Sequence, residues 1–324
     1  MAAYTTIDDP SAFFKCHLYS GNGSTNAQTF ADTDTDMQPD MVWIKSRSDG
    51  FSHMLYDAVR GVQKHIKPDS EAAEATDANS LTAFGSDGFT VGTNSDLNNS
   101  GDTYVAWCWK ESATAGFDIL SYSGTGSART QAHSLSAKPN WIIVKKTSAS
   151  GGSWFVYLTG GIPATNYVKL NETGATSASS SMWNNTEPTS SVFSLGTSSD
   201  VNGDGVTYVA YLWRSVQGFS KFGTYVGNGN ADGPMVYTGF SPAYVVVKNA
   251  GGDEAWNVWN NKTPGYNVAN KNLQPNSTVA EQTSSAGVKE IDFLSNGFKI
   301  RGSNTELNQS GNTHIYMAFA EAPF

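Results

Sequence analysis

A polar turn followed by an apolar strand occurs three times along the chain and organises the rest of the sequence. Two clear copies cover residues 98–109 and 202–213, and a weaker copy covers residues 308–319. In each copy an Asn- and Gly-rich turn leads into a run whose two sets of alternating positions are both largely apolar. Such a run indicates a strand that is covered on both faces. Three copies of one strand predict three copies of one structural unit.

Other short patterns recur in the same order. A Tyr-x-Gly-x-Gly motif begins at Tyr19, Tyr122 and Tyr225, which are separated by equal intervals. A proline then precedes a β-branched run that ends in lysine, at residues 39–45, 139–145 and 242–248. A short aromatic strand follows at residues 53–56, 154–157 and 256–259. Proline suits the start of a strand because its missing N–H is not needed there. Each unit is therefore predicted to contain several short strands.

The later part of each unit varies more. Residues 84–92 and 293–300 carry Ser-Asp-Gly and Ser-Asn-Gly between apolar positions, which is a hairpin signal because these turns require a positive φ. The second unit keeps only residues 192–196 at this place and lacks the hairpin turn. Of the variable loops, the first contains residues 71–75, for which we predict one or two helical turns.

These patterns predict an all-β protein of three tandem β-sandwich, jelly-roll-like repeats of about 100 residues each. The predicted units are residues 13–111, 117–216 and 219–324, and residues 1–12 form an N-terminal tail. A propeller with one blade per unit is the alternative. Three blades would fall below the usual range, and each unit has too many strands for one blade.

Composition and charge narrow the classes of function. Charged residues make up only 15% of the chain and aromatic residues 12%, which favours strands and turns over helices or disorder. The formal net charge of -9 repels phosphate backbones and anionic lipids, so neither nucleic acid nor a membrane is an expected partner. The N-terminus has no basic and apolar signal sequence, which predicts synthesis in a cytoplasm without signal-dependent secretion.

Candidate chemistry is sparse. Asp200, Asn202 and Asp204 match the first half of a calcium loop, but the twelfth position is Tyr211 instead of a bidentate Glu. The corresponding turns lose carboxylates while they keep Asn and Gly, which favours a structural turn over a metal site. None of the five histidines recurs at one place in two units, and no catalytic motif is apparent. We therefore expect no catalytic residues, no enzyme activity and no cofactor.

The two cysteines leave an alternative open. Cys16 and Cys108 stand at positions that are apolar in the other units, which predicts buried thiols that act as small hydrophobic side chains. The first and last strands of one sandwich can be neighbours, so a disulfide between these residues is geometrically possible.

One polar loop supplies the candidate binding site. Trp183, Asn184 and Asn185 lie in a Ser- and Asn-rich stretch without an apolar period. Trp183 is expected to be exposed there, and an exposed Trp is a candidate ligand contact. Tryptophans at recurring strand positions are instead expected in the core. Three recurring lysines at strand ends are expected to be solvated or paired with a turn carboxylate: Lys45, Lys145 and Lys248.

As a set, these motifs resemble a repeat domain of unassigned function that occurs in structural proteins of tailed, mainly marine, bacteriophages. The resemblance rests on the Tyr-x-Gly-x-Gly motif, the proline-led strand, Asp-Ala-Val-Arg-Gly at residues 57–61, the hairpin at residues 84–92 and the recurring closing strand. It is strongest over residues 13–111, and neither later unit keeps the Asp-x-Val-Arg-Gly element. The resemblance implies a virion component with lectin-like β-sandwiches and carries no catalytic residues.

The expected function is therefore that of a bacteriophage virion structural protein. We favour a tail-associated or fibre component that contacts the host surface through its glycans. A capsid decoration (cement) protein or a tail-assembly subunit without a ligand of its own is the alternative, and a glycan-degrading enzyme ranks below both. The expected partners are other virion proteins and a host surface glycan, and analogy with fibres suggests a homotrimer. The expected location is the virion, after synthesis in the host cytoplasm.

Overall fold

The computed structural model of the chain describes residues 5–30 and 35–322. Of the predicted tail, residues 1–4 lie outside these ranges, and the remainder ends in a 3-10 helix at Pro10–Ala12. The protein is all-β, with antiparallel sheets and only four short α-helices within the described ranges. None of the helices in that part of the chain has the length and apolar character needed to cross a membrane.

The first segment, residues 13–111, contains strands β1 to β9 and helix α1. They are β1 (Phe14–Ser20), β2 (Asn26–Thr29), β3 (Met41–Ser46), β4 (Met54–Asp57), β5 (Lys64–His65), β6 (Ala75–Thr76), β7 (Leu81–Gly85), β8 (Gly88–Val91), α1 (Ser95–Asn98) and β9 (Thr103–Trp109).

The second and third segments, residues 117–216 and 219–324, repeat this succession with local losses. The second contains β10 (Phe117–Ser123), β11 (Arg129–Ala132), β12 (Trp141–Lys146), β13 (Trp154–Leu158), β14 (Asn166–Lys169), β15 (Ser177–Ala178), α2 (Ser180–Trp183), β16 (Val192–Leu195), α3 (Ser199–Asn202) and β17 (Thr207–Trp213). The third contains β18 (Ser220–Val226), β19 (Met235–Tyr237), β20 (Tyr244–Asn249), β21 (Asn257–Asn260), β22 (Lys271–Asn272), β23 (Gln282–Thr283), β24 (Ile291–Leu294), β25 (Gly297–Ile300), α4 (Thr305–Asn308) and β26 (Thr313–Phe319).

One large sheet per segment has the same strand order. The order is β1-β9-β3-β4 in the first segment and β18-β26-β20-β21 in the third. The second begins β10-β17-β12-β13 and continues through β14 and β15. In every sheet the first strand of the segment pairs with its closing strand, so that Tyr19 lies opposite Tyr104, and Tyr122 opposite Tyr208. The closing strand lies between two neighbours and is buried on both faces, as its two apolar sets predict.

A second, smaller sheet accompanies each large sheet. Its strand order is β2-β8-β7 in the first segment, β11-β16 in the second and β19-β25-β24 in the third. The predicted hairpins form β7–β8 and β24–β25, whereas the second segment retains only β16 at this place. Gly88 begins β8 at φ +126°, and a Cβ there would lie 1.9 Å from the Gln28 carbonyl oxygen. The glycine of the hairpin signal is thus needed for backbone contact as well as for the turn.

Buried clusters lie on both faces of each large sheet. One cluster per segment joins the large sheet to the small one, as Tyr104 and Phe89 illustrate in the first segment. The corresponding clusters of the other two segments also join the large sheet to the small one, and in the second segment residues of α2 take part. On the opposite face, a single cluster contains side chains of all three segments. Trp109 lies 6.5 Å from Trp213 and 5.7 Å from Phe319 between ring centroids in this shared core.

The predicted helical turns at residues 71–75 are wrong. This stretch contains no helix and leads into β6, and it lies against the second segment, where the Glu74 N–H donates to the Thr147 carbonyl at 2.9 Å. The Gly151 N–H donates to the Glu71 carbonyl at 3.1 Å. Ala- and Glu-rich composition favours a helix only weakly, and these backbone contacts to another segment override it.

Candidate functional site

The turn before each closing strand contains a one-turn helix with a side-chain cap. Asn94, Ser198 and Asn304 accept the N–H two residues further on and so begin α1, α3 and α4. The last residue of each helix is a fully buried asparagine: Asn98, Asn202 and Asn308. These turns are the place where the sequence suggested calcium ligands.

Hydrogen bonds within the protein occupy the Asn202 side chain. Its Oδ1 accepts from the Thr125 N–H at 3.0 Å, and its Nδ2 donates to the Ser127 and Gly196 carbonyls, each at 2.7 Å. Asn98 and Asn308 make the corresponding bonds in their own segments. The buried asparagine therefore ties the turn to the loop that follows the first strand.

The carboxylates of the calcium candidate have the surroundings of a surface turn. Asp204 is exposed, and the nearest cation to Asp200 is Lys146 at 3.9 Å. Within residues 5–30 and 35–322, no group of three or more His, Cys, Asp or Glu side chains is placed to hold a metal ion. The Asn and Gly residues recur because the turn needs them for its own hydrogen bonds and backbone geometry.

The Tyr-x-Gly-x-Gly motif contacts the same turn from the other side. The Tyr122 hydroxyl donates to the Val201 carbonyl at 2.7 Å. A Cβ on Gly124 would lie 2.1 Å from the Gly203 carbonyl oxygen, and Gly126 has φ +69°. The tyrosine anchors the turn, while the two glycines allow close backbone approach and a left-handed conformation. The same contacts recur at Tyr19 and Tyr225.

His314 takes the place of a tyrosine in the third segment. It is fully buried, and its ring stacks on Tyr225 with centroids 4.9 Å apart. Tyr208 stacks on Tyr122 in the same way at 5.2 Å. Burial lowers the pKa of His314 below the ordinary histidine value. The residue belongs to the core, as its position in the closing strand predicts.

Trp183 is not exposed, so the candidate ligand contact is corrected. The side chain is 2% exposed, and its Nε1 donates to the Asn166 carbonyl at 3.1 Å. The polar stretch folds into α2, which turns Trp183 into the cluster between the sheets of the second segment. Asn184 and Asn185 follow on the surface with φ values of 51° and 50°. They form the turn that ends the helix, and the indole that precedes them is buried.

The recurring lysines are buried, contrary to the expectation of solvated strand ends. Lys45, Lys145 and Lys248 are fully buried. The Lys248 ammonium donates to the carbonyls of Thr173, Asn249 and Gly252. Desolvation by burial lowers the pKa of each of the three lysines to about 8. Backbone carbonyls thus replace water around each ammonium group, and no turn carboxylate makes a direct hydrogen bond to it within the described residues.

Cys16 and Cys108 are free and buried. Cys16 lies opposite Trp107 in the β1–β9 pair and Cys108 lies opposite Lys15, so the register is offset by one residue. Adjacent positions in a strand point to opposite faces, and the two thiols accordingly lie in different clusters. Both act as small apolar side chains, and the disulfide alternative is excluded.

The variable loops join the segments to one another. The Trp154 indole N–H donates to the Lys67 carbonyl of the first segment at 3.0 Å. The Trp256 indole N–H donates to the Lys169 carbonyl of the second segment at 2.8 Å. We call residues 67–76, 169–176 and 274–283 the clasp loops, because each leaves its own segment to bind the next.

The third clasp loop binds the first segment. The His53 ring lies with Nε2 3.0 Å from the Gln274 carbonyl, while its Nδ1 accepts from the Trp43 indole N–H at 2.9 Å. The Nε2 therefore carries the hydrogen and donates. Arg47 binds Glu281 through two hydrogen bonds of 2.9 and 3.0 Å. The three segments consequently form a closed cycle, in which first binds second, second binds third and third binds first.

The Asp-Ala-Val-Arg-Gly element forms a buried ion pair at the first junction. Arg60 Nε lies 2.6 Å from Asp57 Oδ2, and the same carboxylate oxygen accepts from the Tyr211 hydroxyl of the second segment at 2.6 Å. Arg60 also contacts Glu74 at 3.3 Å. The element was visible in the sequence as a motif, but its partner Tyr211 carries no local signal that reveals the contact.

Comparisons with known proteins assign a family. A family model described as a domain of unknown function (DUF7483) matches residues 9–323. The chain belongs to this family. No curated protein and no solved structure is significantly similar to the chain. The DUF7483 match runs through all three segments, which is the extent of the shared core and of the clasp cycle.

Proposed function

We propose that this protein is a bacteriophage virion structural protein, namely a tail-associated or fibre component that contacts the host surface. We further propose that it consists of three β-sandwich repeats closed into one body. The observation that carries the proposal is the clasp cycle. The polar groups that could suggest chemistry, such as His53, Lys248 and Asn202, are bound to backbone groups that hold the turns and junctions together. Such a design serves rigidity, which an exposed particle component needs.

The β-sandwich description is supported by the paired sheets. Each large sheet has a smaller sheet across a buried cluster, and the other face of the large sheet contributes to the shared core. Inward-facing residues of two sheets normally form the core of a sandwich. The resemblance of the first segment to a repeat domain of phage structural proteins supports the virion assignment independently of this geometry.

Closure favours a compact attachment module over a fibre shaft. Each clasp loop is bound within the chain, so none of those loops, within the described ranges, remains to continue an open array. Open arrays grow because each unit binds the next in one direction, whereas a closed cycle cannot extend. We therefore place the protein at the end or on the side of a larger structure. A homotrimer stays a prediction.

A capsid decoration or tail-assembly subunit is the second candidate, and one surface favours it. Strand β19 lies at the edge of its sheet, where Met235 is 43% exposed and Tyr237 is 63% exposed. Exposed apolar edge strands are normally covered in natural proteins. Another virion protein seated on β19 would bury both side chains.

Immunogold labelling of intact phage particles separates these functions. Antibodies against the purified protein should label the tail or its fibres. Labelling of the capsid instead would favour the decoration role, and absence of the protein from purified particles by mass spectrometry would contradict a virion function altogether. Retention of the purified protein on immobilised host polysaccharide tests the glycan contact separately.

A further inference from the structure

A polar cleft of about 270 Å³ lies between the first and second segments. One wall comes from the Asp-Ala-Val-Arg-Gly element and the first clasp loop, and the other comes from β10 and the turns beside it. The lining residues are Val59, Arg60, Lys64, Glu74, Ser121, Thr147, Ser148 and Thr207. Its volume of about 270 Å³ lies just below the roughly 300–1,000 Å³ that pockets for small molecules commonly enclose, so the cleft suits only a ligand at the small end of that range.

The first wall is charged but balanced. Glu74 lies 3.3 Å from Arg60 and 3.6 Å from Lys64. The Arg60 side chain is held in place by Asp57 and by the Leu55 carbonyl. The Lys64 side chain is 47% exposed and can donate to a bound molecule. Val59, which is 44% exposed, adds an apolar patch. Because the positive and negative side chains of this wall already neutralise one another, a neutral ligand fits it better than a strongly charged one.

The second wall is a row of hydroxyl groups whose hydrogen bonds are partly used. Ser121 Oγ donates to the Tyr208 carbonyl at 3.2 Å, and Thr147 Oγ1 donates to the Thr207 carbonyl at 3.1 Å. Both oxygens therefore keep lone pairs that accept. Ser148 Oγ accepts from the Thr207 N–H at 2.9 Å and keeps its own hydrogen to donate. The wall offers both acceptors and donors at short intervals.

We propose that this cleft binds a saccharide unit. Sugar hydroxyls donate and accept together, which matches a wall of mixed donors and acceptors with near-neutral charge, and a C–H face of the ring can contact Val59. At the second junction, Gly161, Ala250 and Gly251 take the places of Arg60, Thr147 and Ser148. The same chemistry is therefore not repeated there. The proposal rests on the host-glycan contact proposed above and locates it.

The test compares two substitutions on one strand face. Ser121→Phe fills the cleft, whereas Ser123→Phe lies two residues further along β10, on the same face and outside the lining. The full chain is titrated with glucose, galactose, N-acetylglucosamine and glucuronic acid while backbone amide NMR signals are followed. We expect at least one sugar to shift signals of the cleft residues. Its affinity should fall at least tenfold in Ser121→Phe and stay within twofold of wild type in Ser123→Phe.

Two further measurements keep the outcomes distinct. Lys64→Ala, at an exposed side chain, should lower the affinity for the same sugar severalfold without changing the melting temperature of the protein by more than a degree or two. The cleft assignment is overturned if no sugar shifts the cleft signals. It is also overturned if Ser121→Phe binds the sugar with the same affinity as wild type. If Ser121→Phe is nevertheless retained on immobilised host polysaccharide like wild type, the attachment function survives and the cleft does not. If wild type is not retained on the polysaccharide while a sugar shifts the cleft signals, the cleft assignment survives and the attachment function does not.

Discussion

At the scale of single residues, a buried asparagine makes corresponding hydrogen bonds in each of the three segments. The buried asparagines bind a backbone N–H and two carbonyls that would otherwise lack partners inside the protein. Unsatisfied buried polar groups are costly. The asparagine at this place therefore stabilises the turn through its own hydrogen bonds.

Replacement of Asn202 by alanine should be strongly destabilising. The change leaves the Thr125 N–H and the Gly196 carbonyl without their partner, so we expect the free energy of unfolding to fall by about 2–4 kcal/mol. Urea denaturation measures this loss. Asp204→Ala, at an exposed neighbour, is the control and should change stability by less than about 0.5 kcal/mol. Calcium-dependent stabilisation that disappears in Asp204→Ala would instead support a metal site.

The buried lysines predict an unusual pH dependence. The folded-state pKa of Lys248, about 8, lies below the ordinary value of 10.5, so the unfolded chain binds more protons between these values. Stability contributed by this group must then rise with pH across this window. Relative to Lys248→Met, which has no titrating group, wild type should gain about 2 kcal/mol between pH 8 and pH 10. Tyrosine and cysteine ionisation affects both proteins equally and cancels in the difference.

Chemical denaturation of both proteins at several pH values between 7 and 10 measures this gain. Lys138→Met is a suitable second reference because Lys138 is 41% exposed and forms only a surface ion pair. Its stability difference from wild type should not rise over the same range. A flat difference for Lys248→Met as well would mean that the ammonium is solvated in the folded protein.

At the scale of elements, the turns depend on close backbone contact. Gly124→Ala would place a methyl group 2.1 Å from the Gly203 carbonyl oxygen, so the strand end and the turn must separate. We expect a loss of at least about 2 kcal/mol in the free energy of unfolding. Gly174→Ala is the matched control because a methyl group at Gly174 would meet no other atom within 4 Å. Equal stability of the two variants would contradict the packing described for the turn.

The third clasp can be weakened by one substitution. Arg47 and Glu281 are only 17% and 8% exposed, and Arg47→Met leaves the carboxylate without its bidentate partner. We expect a loss of about 2 kcal/mol and faster amide hydrogen exchange at residues 274–283. The exposed pair Lys138–Glu187 provides the control, since Lys138→Met should cost less than about 1 kcal/mol. Unchanged exchange in the clasp loop would show that the pair does not hold it.

Element types are predictable from the sequence where the signal is local. Alternation of apolar residues, prolines before strands and Asn-Gly turns identify the large sheets, because each depends on a few adjacent residues. The prediction for Trp183 is wrong because its burial depends on the one-turn helix α2, which has no apolar period. The prediction for Lys45 is wrong because a lysine at a strand end is normally solvated, and its burial depends on neighbouring carbonyls. The clasp loops have no sequence signal because their contacts join residues that lie far apart in the chain, by 74 positions in one pair and by 234 in another.

At the scale of the whole molecule, the three segments pack against one another through a shared core. Trp109, Trp213 and Phe319 come from three different closing strands and pack in one core. Removal of any one segment would expose that core and two clasp interfaces. The Glu321 carboxylate accepts from the Cys16 N–H at 3.1 Å, so the end of the last closing strand also contacts the first strand. The sequence indicates three units, but nothing in it distinguishes tandem domains from a shared core.

The central claim is that shared core and clasp cycle make the three segments one cooperative body. Differential scanning calorimetry of the full chain tests it most directly, through the ratio of the calorimetric to the van't Hoff enthalpy of unfolding. We predict a single transition with a ratio close to one, and Arg47→Met should lower its midpoint without splitting it. Two or three resolved transitions, or a ratio near three, would contradict the claim and show that the segments unfold as separate domains.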